Sequence, residues 1–196
     1  MQISPKLYIT MFSVYLLAKA VPCEACMAIR SPTVTDWGDW GALEGCSEGR
    51  YAVGFQLKTH RSTSGSGDYT GLNGIRLLCA HPRINDVHSK PSSLVGPWGE
   101  WGRAFVCDRG SLLRGFQLRS ESAAAGGSDN TAANNLRGRC TSVTSRATTG
   151  TLEGDGTSWG DWTSWQHCPD NHAVCRIKTQ VEPSQGGLGK LLYLDS

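Results

Sequence analysis

The amino-acid sequence predicts an all-β protein in which three related sheets surround a pseudo-threefold axis. The 196 residues include 24 glycines and 8 cysteines and only 18% are charged, which is typical of turn-rich β proteins held by disulfides. Tryptophans and cysteines recur three times at a constant interval. Short segments alternate apolar and polar side chains, as strands with one buried face do. Together these observations predict three small sheets that share one core.

The N-terminal segment has the character of an export signal. A lysine precedes an apolar stretch over residues 7–18, which is too short to span a membrane and ends in the Ala-Lys-Ala pattern that signal peptidase recognises. We expect residues 1–20 to be removed, with cleavage after Ala25 as the alternative. Residues 21–196 then form a single domain. Export places the cysteines in an oxidising compartment, where disulfides form.

Charge and hydropathy argue against two classes of partner. The formal net charge of the full chain is only +2, so the sequence lacks the basic footprint of a nucleic-acid-binding protein. A transmembrane helix needs roughly 20 consecutive apolar residues, and the chain contains no such run. We therefore expect neither nucleic-acid binding nor membrane insertion.

The rest of the chain is a threefold repeat without gaps. Trp37, Trp98 and Trp159 are evenly spaced along the chain, and the second tryptophan and the first cysteine of each unit keep the same interval. One unit reads W-G-x-W, a cysteine, G-F-Q-L-[K/R], a Gly/Ser-rich turn, D-x-T-x-x-N and a second cysteine. The units cover about residues 36–96, 97–157 and 158–196. Such units bury their apolar faces only by packing on one another.

Alternation within each unit identifies its strands. In the first unit Val53, Phe55 and Leu57 alternate with polar side chains, which predicts one buried and one solvated face. The same pattern recurs at the equivalent positions Phe116 and Leu118, and at Ile177, Thr179 and Val181. A later strand of the first unit has Ile75, Leu77 and Cys79 on one face and Arg76 on the other.

These motifs resemble the vitelline membrane outer layer protein I family. The matching segments are WGDW at 37–40, GFQLK at 54–58, GDYTGLNGIR at 67–76 and DNTAANNLR at 129–137. The resemblance covers about residues 36–189 and implies a β-prism of the first type, with three Greek-key sheets around the axis. It also implies a secreted protein with a structural role. Weak transfer activity on N-acetylglucosamine oligomers is associated with the family, without established catalytic residues.

The third unit departs from this pattern after Gly189. The positions that should repeat the D-x-T-x-x-N motif carry Lys190, Leu192 and Asp195 instead, and no closing cysteine follows. We therefore expect the third sheet to be incomplete, with an exposed edge. The apolar tail over 191–194 is a candidate to occupy that edge.

Equal spacing predicts two equivalent disulfides. Cys46 and Cys79 have the same separation in sequence as Cys107 and Cys140, so we expect each pair to tie the first loop of a unit to the last strand of the same sheet. Four cysteines are left unassigned: Cys23, Cys26, Cys168 and Cys175. The last two can pair with each other, pair with the first two or stay reduced.

A short segment near the C-terminus superficially offers four zinc ligands. These are His167, Cys168, His172 and Cys175. Cys168, however, occupies the repeat position of two cysteines that we expect to be disulfide-bonded, so we expect no metal and no cofactor.

The candidate binding residues are the tryptophan pairs and two aspartates. The tryptophans either stack on sugar rings or fill the ends of the core; the pairs are Trp37 and Trp40, Trp98 and Trp101, and Trp159 and Trp162, with Trp165 beside the last. Asp68 and Asp129 either form a carboxylate pair for glycosyl transfer or accept backbone hydrogen bonds in equivalent turns. Repeat symmetry separates the two aspartates and favours turns, so we assign no catalytic residue.

The family resemblance implies a secreted structural component of an extracellular coat, such as the outer layer of the egg vitelline membrane, and a rigid, disulfide-bonded β-prism suits that role. The expected partners are matrix or egg-envelope proteins and glycans. A carbohydrate-binding module is the first alternative, and a weak transglycosylase on N-acetylglucosamine oligomers is the second.

The export signal leads to a direct prediction. Intact mass spectrometry of the secreted protein should give a chain that starts at Val21, because the residues before that position match a cleavage site. A secreted chain that retains residues 1–20 would contradict the prediction.

Overall fold

The computed structural model describes residues 28–32, 38–60, 70–121, 132–181 and 191–195. Within these ranges every regular element of secondary structure is a β-strand. The strands are β1 (Asp39–Trp40), β2 (Glu44–Gly45), β3 (Tyr51–His60), β4 (Gly71–Ala80), β5 (Val87–Ser89), β6 (Glu100–Trp101), β7 (Phe105–Val106), β8 (Ser111–Ser120), β9 (Ala133–Ser142), β10 (Thr148–Glu153), β11 (Asp161–Trp162), β12 (Gln166–His167), β13 (Arg176–Val181) and β14 (Leu191–Asp195).

The strands form three antiparallel sheets, as the repeat predicts. The first sheet has the order β5-β4-β3-β6, with β7 also paired to β3. The second has the order β10-β9-β8-β11, with β12 also paired to β8. The third has the order β1-β13-β14, with β2 also paired to β13. The all-β class and the three-sheet arrangement of a β-prism are thus confirmed.

Sheets and sequence repeats are out of phase. The W-G-x-W segment of the second unit, in β6 and β7, pairs with β3 of the first unit, and β11 and β12 of the third unit pair with β8 of the second. The cycle closes where β1 and β2 of the first unit pair with β13 of the third. Each sheet therefore needs two units, whereas the sequence indicated one sheet per unit.

We call the places where the W-G-x-W segment of one unit pairs with the central strand of another unit the joints. Equivalent backbone hydrogen bonds occur at all three joints. The Cys46 amide donates to the carbonyl oxygen of Cys175 at 2.8 Å. At the equivalent positions of the next two units, the Cys107 amide donates to Val53 at 2.7 Å, and the Cys168 amide donates to Arg114 at 2.9 Å. The pseudo-threefold symmetry predicted from spacing therefore extends to individual hydrogen bonds.

Counted over the described residues, the third sheet has four strands where the other two have five. Its strand β14 pairs with β13 in the place that β4 and β9 take in the other sheets. Val181 pairs with Leu191, whereas the register of the second sheet places its partner at Leu194. The apolar tail thus supplies a strand in a shifted register, and the third sheet is incomplete in the part of the chain that the structure describes.

The core lies between the three sheets and draws on all of them. Phe55 and Leu57 from β3, Phe116 and Leu118 from β8, and Ile177 from β13 are buried in one apolar cluster. Burying such side chains stabilises the fold by roughly 1.5–3 kcal/mol each. The predicted inward faces are therefore confirmed at these positions.

Val53 is an exception to the predicted alternation. It is the extra residue of a β-bulge, because Ala52 pairs with Cys79 whereas Gly54 pairs with Leu78. The bulge moves Val53 off the face of Phe55 and into a second apolar cluster with Leu78. Both faces of this part of β3 are consequently buried.

The two predicted disulfides, Cys46–Cys79 and Cys107–Cys140, are present. Their role differs from the prediction because the sheets are exchanged. Cys46 directly follows β2 of the third sheet while Cys79 lies in β4 of the first, so this bond joins two sheets rather than closing one. The second bond joins the first and second sheets in the same way.

The remaining cysteines are placed only in part. Cys175 is also disulfide-bonded. Cys168 is half-buried and packs against the main core. Cys23, Cys26 and the export signal lie outside the described residues.

Two glycines allow the exchanged strands to approach closely. A Cβ atom at Gly54 would clash with the carbonyl oxygen of Phe105, and one at Gly115 would lie 2.7 Å from that of Gln166. At the third joint the glycine is on the other strand: the central strand β13 carries Arg176, and Gly45 of β2 lies opposite it. Every joint therefore keeps one glycine.

We predict that Gly54→Ala lowers the free energy of unfolding by about 2 kcal/mol or more, because the added methyl displaces β7 from β3. Gly150→Ala is the matched control, since a Cβ there has no atom within 4 Å. Urea denaturation measures both. Equal midpoints for the two variants would contradict the prediction.

Removal of an inter-sheet disulfide should have a larger effect. The double substitution Cys107→Ser with Cys140→Ser should lower the free energy of unfolding by about 3–4 kcal/mol, the loop-closure value for about 30 residues. Calorimetry of the variant and the parent protein tests this. An unchanged midpoint would show that the sheets stay joined without the bond.

Candidate functional site

The described tryptophans lie at the surface rather than in the core. Trp40, Trp98 and Trp159 are 39%, 42% and 57% exposed, while Trp101 and Trp162 are half-buried. The two interpretations of the tryptophans, as ligand-stacking residues or as caps on the ends of the core, both stay predictions. Trp37, Asp68 and Asp129 lie outside the described residues.

The second tryptophan of each W-G-x-W motif lies against a cation from the sheet that it joins. Arg76 is 4.0 Å from the ring centre of Trp101, and its repeat equivalent Arg137 is 4.1 Å from that of Trp162. Lys178 is 5.2 Å from the ring centre of Trp40. A cation over an indole contributes roughly 0.5–1 kcal/mol when exposed. These contacts hold each exchanged segment on its sheet.

Glutamine side chains reinforce the same joints. The Gln56 amide donates to the carbonyl oxygen of Gly102 at 2.9 Å, and its equivalent Gln117 donates to Thr163 at 2.7 Å. Arg76 in turn donates to the Gln56 side-chain oxygen at 3.1 Å. The glutamine of the G-F-Q-L motif is therefore a structural residue.

The asparagine of the D-x-T-x-x-N motif is also structural. Asn73 and Asn134 are fully buried in equivalent strands. The Asn73 amide donates to the Thr70 hydroxyl at 2.6 Å, and the Thr157 hydroxyl donates to the Asn134 side-chain oxygen. Buried amides with such partners fix the local path of the chain.

An open cleft lies where the end of β3 meets β6. Its volume is about 490 Å³, and Thr59 and His60 are among the residues that line it. Trp98, Glu100 and Asp155 also line it. The His60 and Trp98 rings are 6.2 Å apart. An indole beside carboxylates and an imidazole can bind a small polar ligand, and the cleft lies in the size range of ligand sites.

Comparison with known proteins identifies the family. The family model for vitelline membrane outer layer protein I matches residues 27–191. The chain belongs to the vitelline membrane outer layer protein I family. It is similar to the human protein named vitelline membrane outer layer protein 1 homolog, with 40% identity over 76% of this chain and 70% of the human protein. The mouse protein of the same name is 37% identical over 76% of this chain and 71% of its own length.

The described residues show neither a membrane-spanning helix nor a metal-binding cluster. In the part of the chain that the structure describes, no helix has the length and apolar character to cross a membrane. Within the same residues, no group of three or more His, Cys, Asp and Glu side chains is arranged to hold a metal ion. The structural residues identified above include Gln56, Asn73 and Arg76, which belong to the family motifs quoted from the sequence.

One cluster on the second sheet departs from the internal repeat. The guanidinium of Arg139 lies 4.1 Å from the ring centre of Trp165, and the Trp165 ring stacks on His167 at 5.8 Å. Burial lowers the pKa of His167, and the positive charges of Arg139 and Arg114 lower it further.

Sequence reasoning missed the contacts that arginines make with the tryptophans. Arg76 and Arg137 share a repeat position, as do Trp101 and Trp162, so the common interval could have paired them. Arg139 has no arginine at its equivalent, Leu78, and no spacing rule indicated it.

We predict that Arg139→Leu raises the pKa of His167 toward 6.5, because the variant removes a cation that disfavours the charged imidazole. Burial and Arg114 remain, so the recovery should be partial. NMR titration of the imidazole measures the change, with the exposed Arg146→Leu as control. An equal shift in both variants would contradict the assigned cause.

The lowered pKa of His167 also makes the free energy of unfolding depend on pH. The pKa of His167 is lower in the folded state than its ordinary value, so the unfolded chain binds more protons between the two values. The contribution of His167 to the free energy of unfolding should therefore rise with pH in that window. His167→Gln should flatten this rise in urea denaturation curves.

Proposed function

We propose that this protein is a secreted structural component of an extracellular coat, such as the outer layer of the egg vitelline membrane. The observation that carries the proposal is the closed exchange of strands among three sheets, with disulfides across the joints. A body closed in this way has few segments that open independently. Family membership supports the same class of role.

Resistance to proteolysis is a property that a coat component needs. Proteases cut segments that open locally, and long paired strands with buried side chains open rarely. The central strands β3, β4, β8 and β9 each have 10 residues and are mostly buried. Disulfides persist outside the cell, where this function requires the protein to remain folded.

Surface symmetry supports contact with repeating partners. The three joints present Trp40, Trp101 and Trp162 in equivalent positions, each beside a cation. Weak contacts made at several equivalent places increase the overall affinity through effective concentration. Envelope proteins and matrix glycans are partners that can offer several equivalent binding places.

The decisive experiment measures incorporation into an isolated envelope. Labelled mature protein should remain with vitelline membranes through washing at about 0.15 M salt. The Cys107→Ser, Cys140→Ser variant should be lost or degraded faster, because its first and second sheets are no longer covalently joined. Wild-type protein that stays in the supernatant would contradict a coat role.

Two further assays separate the alternatives. Glycan-array binding that Trp98→Ala abolishes would favour a carbohydrate-binding module, because Trp98 is the exposed indole of the cleft. Turnover of chito-oligosaccharides that Asp68→Asn abolishes would favour a transglycosylase. With both assays silent and the envelope retaining the protein, the coat role is supported.

A further inference from the structure

Four side chains converge on the outer surface of the second sheet, and we call them the Arg139 cluster: Arg114, Arg139, Trp165 and His167. Gly115 lies at its centre, because this residue pairs with Arg139 on one side and with His167 on the other. A Cβ atom at Gly115 would lie 2.8 Å from Nδ1 of His167, so the imidazole lies directly over the glycine. The strand pairing therefore directs the imidazole toward the arginine strand.

The first sheet shows that the fold does not need these cations. The positions equivalent to Arg114 and Arg139 are Val53 and Leu78, which are fully buried together in an apolar cluster. The equivalents of Trp165 and His167 are Ala104 and Val106. The second sheet thus has two positive charges where its counterpart has an apolar pair. Like charges repel, so an anion bound near both arginines would offset their repulsion.

Arg139 has the donors for such an anion, and the described part of the chain supplies no acceptor for them. Its guanidinium carries five N–H donors. Among the described residues, Arg139 has no hydrogen-bond acceptor and no carboxylate within 4.0 Å, and its Nε atom is buried without a partner. A buried donor without a partner is a place where an ion or an ordered water is commonly bound. The neighbouring Arg137 differs, because it pairs with Glu153 at 2.6 Å.

Arg114 adds charge to the cluster from a fixed position. It donates to the carbonyl oxygens of His172 at 2.6 Å and Pro169 at 2.8 Å, and its side chain is 17% exposed. Asp170 is 4.0 Å from it but 99% exposed, so water screens this carboxylate. The positive charge near His167 is consequently only weakly neutralised.

We propose that the Arg139 cluster is a binding site for a sulfate group, either free or esterified to a saccharide. Arg139 and His167 contact the anion, and Arg114 attracts it without leaving its own carbonyl partners. The tetrahedral anion accepts donors that arrive from different strands. A sulfate also keeps its charge at any pH at which an imidazole gains a proton, so attraction to His167 grows as the pH falls.

The test titrates sodium sulfate into the mature, disulfide-bonded protein while sodium chloride keeps the ionic strength constant. NMR should show saturable shifts of the His167 ring and the Trp165 indole. Bound sulfate should also raise the pKa of His167, because an anion stabilises imidazolium. Reciprocal linkage then requires tighter sulfate binding below that pKa, by roughly fivefold or more. Shifts that chloride reproduces would overturn the site.

Arg139→Leu is the critical variant because it installs the residue of the first sheet and should therefore fold. It should weaken sulfate binding by about tenfold or more, the usual loss for a charge-assisted hydrogen bond. Arg137→Gln is the matched control, since Arg137 already has a carboxylate partner. Full sulfate affinity in Arg139→Leu would overturn the proposal. Arg139→Lys, which keeps the charge, provides a second test: it should bind more weakly than the parent and more tightly than the leucine variant.

Two ligands distinguish the sources of the sulfate group. N-acetylglucosamine 6-sulfate that shifts His167 and Trp165 and competes with sodium sulfate supports a site for esterified sulfate. Binding of sodium sulfate alone supports a site for the free ion. Equal shifts with unsulfated N-acetylglucosamine would overturn the proposal, because the anion would then be unnecessary.

Discussion

The structure depends on the pairing between the central strand of each sheet and the W-G-x-W segment of the next unit along the cycle. Without that pairing, β3, β8 and β13 would each lose the two short strands on one side. The glycines at the joints allow the close approach, and the cation–indole contacts and glutamine amides hold the segments in place. Both described disulfides then cross between sheets, so the same exchange determines what they stabilise.

Much of this architecture could be predicted from the sequence, because an ungapped repeat records equivalent environments. The constant repeat interval identified the strands, the main core positions and both Cys–Cys pairs. It could not reveal the exchange, since the spacing is the same whether a segment pairs within its unit or with its neighbour. The bulge at Val53 was missed because period-two alternation assumes an uninterrupted strand.

The surface was harder to predict than the core for a physical reason. Apolar periodicity reports burial, whereas contact between Arg76 and Trp101 depends on which strands are adjacent. The Arg139 cluster was harder still, because each of its residues is ordinary when taken alone. The cluster is unusual only in comparison with Val53 and Leu78 at the equivalent positions of the first sheet. That comparison requires knowing that these two residues form a buried pair. Departures from an internal symmetry are therefore as informative as the symmetry.

The joint between the first and third sheets has a consequence for biosynthesis. Strands β1 and β2 are made early but pair with β13, and the Gln180 side chain bonds to the Gly38 carbonyl oxygen across 142 residues. The chain emerges from the ribosome N-terminus first, so these strands have no partner until most of it has been synthesised. Contacts of such sequence separation also form slowly, since a long loop must close before they are gained. The final ring closure is thus a post-translational event, and the early strands β1 and β2 stay unpaired until the last strands arrive.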